Sequence, residues 1–323
     1  MKKHHILYFL VSVALLNCKK KDSPATPQNV QPTNDVESIA IFPASHPLNA
    51  DISSAPIDAN SSVILANIGL TTGLFPDFGS GLWEGAPIGI PFVVVGNGQP
   101  QVPVTFRGNN YDDDYGDESD QGPFPIPLDA PIEGNGSGDS HVITVDTDNG
   151  VLYELYNASR TSNGWAASSA AKFNLKVEEY RTDGWTSADA AGLPIFPCLV
   201  RYNEIEKGEI DHAIRFTIPR SKIYQGYVHP ARHQVSGSKA NNLLPFGAKL
   251  RLKANFDISG FSPQNQVILK ALKKHGLILA DVGSSMYVSG VPDERWNNPD
   301  LKKLGNVKVS DFDVIQMGTI KGK

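Results

Sequence analysis

The stretch HVITVDTDNGVLYELYNA, residues 141–158, constrains this chain more than any other. Asn149–Gly150 supplies the positive φ angles of a tight hairpin turn, so the two flanking runs pair antiparallel. Taking those two residues as the loop sets Asp148 opposite Val151, Val145 opposite Glu154 and Ile143 opposite Tyr156. Side chains alternate along a strand, so His141, Ile143, Val145, Leu152, Glu154 and Tyr156 share one face. Val142, Thr144, Tyr153 and Leu155 share the other. Both faces carry enough apolar side chains to need cover, which places the hairpin in a sandwich or covered sheet and not at a free edge. Glu154 is the odd residue, because a carboxylate in such a strand is costly unless it is paired or lines a wet groove.

The rest of the pattern is rich in turns. Glycine and proline number 29 and 23, which favours turns over long helices. GIPFVVVGNG and QVPVTFRG read as two strands joined at Gly96–Asn97–Gly98. AAKFNLKV, EIDHAIRFTIP, KLRLKANFDI and LILADVGSSMYVSG add further strands. Ser61–Ile68 is a short helix candidate with Asp58 or Asn60 as cap. SADAAG suggests a helical turn capped by Ser187. DERWNNPDLKKL reads as a short helical segment or turn, and KVSDFDVIQMG as a last one or a strand. SPQNQVILKALKKHG is an amphipathic helix with Ser262 as cap, Pro263 in the first turn and Gly276 as stop. The expected fold is all-β: a β-sandwich or jelly-roll-like domain over residues 38–323, with long loops and one amphipathic helix.

The N-terminus reads as processing sequence. A basic start, an apolar run from Ile6 to Leu16 and then Cys18 fit a signal peptide over residues 1–17, since the run is too short for a spanning helix. LLNC resembles the lipobox of bacterial lipoproteins, which implies a lipid on Cys18 and a cell-envelope location, periplasmic or surface-exposed. Residues 18–37 are polar and proline-containing, as a flexible tether would be. Cys198 is then left without a disulfide partner and reads as a buried small hydrophobe.

HPLNADISSAPID, GDSHVITVD, DGWTSADAAGLP, GEIDHAIRFTIP and HPARH together resemble an uncharacterised family of secreted bacterial β-rich proteins. The resemblance covers most of the chain after the tether and implies secretion, with no reaction attached.

Chemistry is narrowed mainly by exclusion. The formal charge is −5 and the body of the chain has no basic block, which argues against nucleic acid. No serine-hydrolase elbow or phosphate-binding glycine loop is present. His229 and His233 in HPARH are four apart, but turn signals surround them, so a helix-borne metal pair is not expected and no metal is assigned. The acidic stretch with Asp112, Asp113, Asp114, Asp117, Glu118 and Asp120 lacks calcium-loop spacing, and only a looser structural calcium site stays open.

Polysaccharide chemistry fits the remaining polar and aromatic residues. A glycosidase needs two carboxylates, and Glu154, Asp189, Glu209 and Asp211, with His212, are the catalytic candidates. His141, Tyr156, Trp165, Trp185, His229, Arg232 and His233 are the substrate-binding candidates, with Arg232 or Arg220 suited to a uronate or sulfate. The expectation is convergence of these groups on one concave face. A polysaccharide lyase, a non-catalytic glycan-binding lipoprotein and a structural envelope protein are the alternatives.

Overall fold

The computed structural model describes residues 35–106 and 115–322. The expected signal peptide, the expected lipid site at Cys18, most of the expected tether and Asp112–Asp114 lie outside the described residues.

The hairpin forms, with a register two residues from the expected one. Val142 pairs with Leu155, Ile143 with Glu154 and Asp146 with Val151, leaving a four-residue loop. The cause is Asp146. Its carboxylate accepts from the Asn149 backbone N–H at 2.9 Å and from Asn149 Nδ2 at 2.8 Å, while Gly150 N–H donates to Asp146 O at 2.7 Å. A shift of two preserves the faces. Val93–Val95 adds in parallel on one side and Ser169–Asn174 antiparallel on the other. Ile143, Val145 and Leu152 enter the main core. Val142, Tyr153 and Leu155 enter a second core with Phe124 and Trp165.

The all-β expectation is corrected by the second sheet. Six strands run in the order Phe75–Asp77, Tyr287–Ser289, Ile214–Ile218, Leu277–Val282, Lys249–Leu252 and Phe312–Val314. The first pair and the Ile214–Ile218/Leu277–Val282 pair are parallel, and the others antiparallel. Helix Pro263–Lys274 packs on Lys249–Leu252, and helix Ser61–Ile68 on Phe312–Val314. The fold is therefore mixed α/β with several open sheets, not a sandwich or jelly roll. Strands Ile214–Ile218 and Leu277–Val282 are largely buried on both faces, as strands covered by other layers are.

Local rules explain the helices. Ser262 Oγ accepts from Asn265 N–H at 3.2 Å, Pro263 occupies the first turn, and Gly276 takes φ 76° beyond the end. Asp58 holds the start of Ser61–Ile68 by accepting from Asn60 N–H at 2.8 Å. Helix Tyr202–Lys207 was not expected. At six residues it is too short for a clear period, and it starts where Glu204 Oε2 accepts from Arg201 N–H at 3.0 Å.

Two smaller expectations are corrected. Val93–Val95 and Val104–Phe106 do not pair with each other, because Val104–Phe106 runs parallel to Trp165–Ala167. The turn between them is instead tied to the hairpin loop by Asn97 N–H donating to Asp148 Oδ2 at 2.8 Å. Residues 187–192 form turns instead of a helix, since Ser187 Oγ accepts from Asp189 N–H at 2.9 Å. Among the described residues, no helix is long and apolar enough to cross a membrane.

Asp146→Ala is expected to cost about 1–3 kcal/mol, because it strips a nearly buried acceptor from the hairpin loop. The midpoint of urea unfolding measures this; an unchanged midpoint would contradict the turn's role in setting the register.

Candidate functional site

The site rests on Arg215, which is 3 % exposed on strand Ile214–Ile218. Its Nη2 donates to Asp189 Oδ2 at 2.7 Å and reaches Asp281 Oδ2 at 3.4 Å, while Nη1 donates to Ser289 Oγ at 2.8 Å. Burial raises the carboxyls of Asp189 and Asp281, the Asp189 charge adds to the rise at Asp281, and the Arg215 charge offsets only part of it, so both stay above the ordinary aspartate value. Ser289 is the register partner of Asp77. The buried cation therefore lies close behind the edge strand that carries Asp77.

Asp77 opens into a cleft of about 770 Å³ that Glu133 and Asp139 also line. Its wall is aromatic. Phe75 and Tyr287, adjacent in register, stack with centroids 4.2 Å apart. The short hairpin Leu82–Trp83/Ala86–Pro87 lines the same cleft and turns at Glu84–Gly85, with φ of 51° and 84°. Asn135 Nδ2 straps this turn by donating to Gly85 O at 2.9 Å. Trp83 is 72 % exposed and Leu82 66 % exposed. Large apolar side chains this exposed at a cleft mark a contact surface.

Glu133 is held from behind. His141 Nδ1 lies 2.5 Å from Glu133 Oε2, and the His141 backbone N–H donates to the same oxygen at 3.3 Å. His141 Nε2 lies 3.0 Å from Ala188 O. Both ring nitrogens thus face oxygen acceptors, an arrangement that suits the doubly protonated imidazolium. Burial alone would lower the His141 pKa, but the Glu133 charge and hydrogen bond override it and hold it at about 9. The same logic applies in reverse to Glu133: burial would raise its carboxyl, yet His141 keeps it below the ordinary value. Asp77 moves the other way. Its side chain is open to the cleft mouth but crowded by protein on its remaining sides, and this loss of water plus the charge of Glu133 push its carboxyl up. The backbone nearby is unusual, with Asn135 and Ser140 at φ 53° and 51°.

The residues singled out from the sequence occupy separate places and not one concave face. Glu154 is fully buried. It accepts from Ile195 N–H at 3.0 Å and Phe196 N–H at 2.8 Å, and burial pushes its carboxyl up to about 7. Asp189 is equally sealed, and only His141 of the interior group reaches the cleft, through Glu133. Glu209, Asp211 and His212 line a second pocket of about 560 Å³. There Glu209 pairs with Lys274 at 3.0 Å, Asp211 with Lys207 at 3.1 Å, and His212 Nε2 with Glu204 at 2.9 Å. His229, Arg232 and His233 form part of a surface turn. His229 packs edge-on to Tyr180, Arg232 pairs with Asp183 at 2.7 Å, and His233 Nδ1 lies 2.8 Å from Ala190 O. Trp165 is core, Trp185 is half-buried under Arg181, and Tyr156 is half-buried against His141. Cys198 is buried, which pushes its thiol up to about 12.

Glu118 and Asp120, from the acidic stretch, accept from Thr186 N–H and Arg181 Nη1 at 2.8 and 2.6 Å. Among the described residues, no group of three or more His, Cys, Asp or Glu side chains is placed to hold a metal ion.

Sequence reasoning missed Asp77, Glu133, Asp139, Phe75, Trp83 and Tyr287. The available signal was GLWEGAP: a tryptophan between turn glycines belongs to no periodic apolar face that would bury it. No family model matches the chain, and no curated protein or solved structure matches it either.

Arg215→Met is expected to destabilise the protein by about 3–5 kcal/mol, because it leaves Asp189 and Asp281 buried without their cation. Combining it with Asp189→Asn is expected to recover part of that loss. Chemical denaturation of both variants checks this; an unaltered stability in the single variant would contradict the role given to Arg215.

Proposed function

We propose that the chain is a cell-envelope protein that binds and hydrolyses an extracellular polysaccharide in the cleft lined by Trp83 and the Phe75–Tyr287 stack. The observation that carries this reading is the opposed displacement of two carboxyls at the foot of an aromatic wall, Asp77 upward and Glu133 downward. Glycoside cleavage needs that split, with one carboxyl protonated to give a proton to the leaving oxygen and one ionised to meet the positive charge that develops on the sugar. Asp77 fills the first role and Glu133 the second, either as nucleophile or as base for water. His141 is a positioning residue that keeps Glu133 charged and fixed. Trp83 and Phe75 present flat apolar surfaces to the C–H faces of sugar rings. The lipobox-like sequence at Cys18 supports the envelope location, with the lipid as the only membrane contact.

The pH dependence follows from the two directions. Activity requires Asp77 protonated, so it falls as pH rises through a value above the ordinary aspartate one. It also requires Glu133 ionised, so it falls as pH drops through a value below the ordinary glutamate one. Release of reducing ends from a polysaccharide panel is the measurement. Asp77→Asn and Glu133→Gln are each expected to lower kcat by about 10²–10⁴-fold on any polymer the wild type cleaves, with retention in affinity gels preserved. Wild-type rates in both variants would sink the assignment. Binding of a polymer by the wild type without cleavage would move the chain to a non-catalytic glycan-binding protein.

A further inference from the structure

The sequence left open whether an acidic sugar, held by arginine, is the substrate. We infer that the cleft takes a glycan of uncharged sugars and discriminates against uronates and sulfated sugars. This rests on the glycan reading of the cleft and deepens it.

Charge and hydrogen-bond donors set this selectivity. Asp77, Glu133 and Asp139 line the cleft, and among the described residues Lys302, an exposed side chain, is the one basic residue that lines it; above the pH at which Asp77 gives up its catalytic proton, Asp77 adds its negative charge to this lining. Glu133 is already paired with His141, and burial together with the Glu133 charge disfavours a second negative charge at Asp77. A uronate carboxylate bound here would join the same crowd. Of the cations that could have answered it, Lys302 is exposed, so its charge is screened by water and salt, and Arg215 is walled off. Its Nε and Nη2 serve Asp189 and its Nη1 serves Ser289, so it has no free fork to offer a ligand. Of the two guanidiniums expected to hold an acid group, Arg232 is committed to Asp183, and neither it nor Arg220 lines the cleft.

What the cleft does offer is acceptors. Asp77 and Asp139 carry no side-chain hydrogen bond or ion pair among the described residues, and neither does Glu133 Oε1. Carboxylate oxygens without partners are matched by hydroxyl donors, and hydroxyls are the groups a neutral sugar presents around its ring edge. The exposed Trp83 face and the Phe75–Tyr287 stack meet the ring's apolar side, which is the same for any sugar. The selectivity therefore comes from the acidic floor and not from the aromatic wall.

Matched pairs of polymers that share a backbone and differ in charge isolate this property. Suitable pairs are a β-glucan and the same glucan oxidised to the 6-carboxylate, and methyl-esterified and de-esterified galacturonan. Dissociation constants would be measured by calorimetry on residues 1–323 and on Asp139→Asn. The expected result is that the neutral member of at least one pair binds about ten-fold or more tighter than its acidic partner. The ratio is also expected to shrink in 0.5 M salt, by about two- to five-fold, and to shrink likewise in Asp139→Asn. Equal or tighter binding of the acidic member in every pair that binds would overturn the inference while leaving the glycan reading in place. A preference that neither salt nor Asp139→Asn alters would overturn the electrostatic origin claimed for it. No binding to either member of any pair would overturn the glycan reading and this inference with it.

Discussion

Arg215 joins parts of the chain that are far apart in sequence: its own strand, the turn at Asp189, and the strands that carry Asp281 and Ser289. Burying a guanidinium and two carboxylates costs several kcal/mol per ion, and the cost is offset only when geometry and hydrogen bonds are complete. That requirement fixes the turn over residues 187–192. The turn sets Ala188 O, which meets His141 Nε2, and His141 in turn orients Glu133. Ile195 and Phe196, just beyond the turn, place their N–H groups on Glu154. The geometry of the cleft floor is thus downstream of one buried cation.

Carboxyls in this small region meet different fates, and their surroundings explain why. Glu154 has no route to solvent and accepts backbone N–H groups, so its work is to anchor the chain at residues 195 and 196. Glu133 is shielded too, but it touches an imidazolium and keeps one edge in the cleft. Among the described residues the Asp77 carboxyl has no hydrogen-bonding partner, and it stands beside a like charge. Only the last two combine opposed pKa displacements with access, which is the combination acid–base chemistry requires.

Much of the local structure was legible in the sequence. The hairpin at 141–158 and the helix at 263–274 follow from turn chemistry, capping and periodicity. The oddity of Glu154 was legible as well, but its partners lie some forty residues away in a turn that no local pattern forecasts. Fold class was not legible, because Ile214–Ile218 alternates like a sandwich strand while its polar Arg215 is in fact buried by a long-range ion pair. The site was hidden for a related reason. Asp77 ends a three-residue strand and Glu133 opens a distorted turn, and neither element has a periodic signature. Polar residues that looked clustered along the chain, such as Glu209, Asp211 and Arg232, are instead spread over separate surfaces by the sheet topology.

The proposed chemistry requires the Asp77 carboxyl to be displaced above the ordinary aspartate value and the Glu133 carboxyl below the ordinary glutamate value. Carbon-13 NMR of the side-chain carboxyls through a pH titration of the free protein reads this directly, with Asp77→Asn and Glu133→Gln assigning the two signals. The expected result is a Glu133 carboxyl that stays ionised to below its usual range while Asp77 holds its proton to above its own. Two carboxyls titrating at ordinary values, or displaced in the same direction, would contradict it.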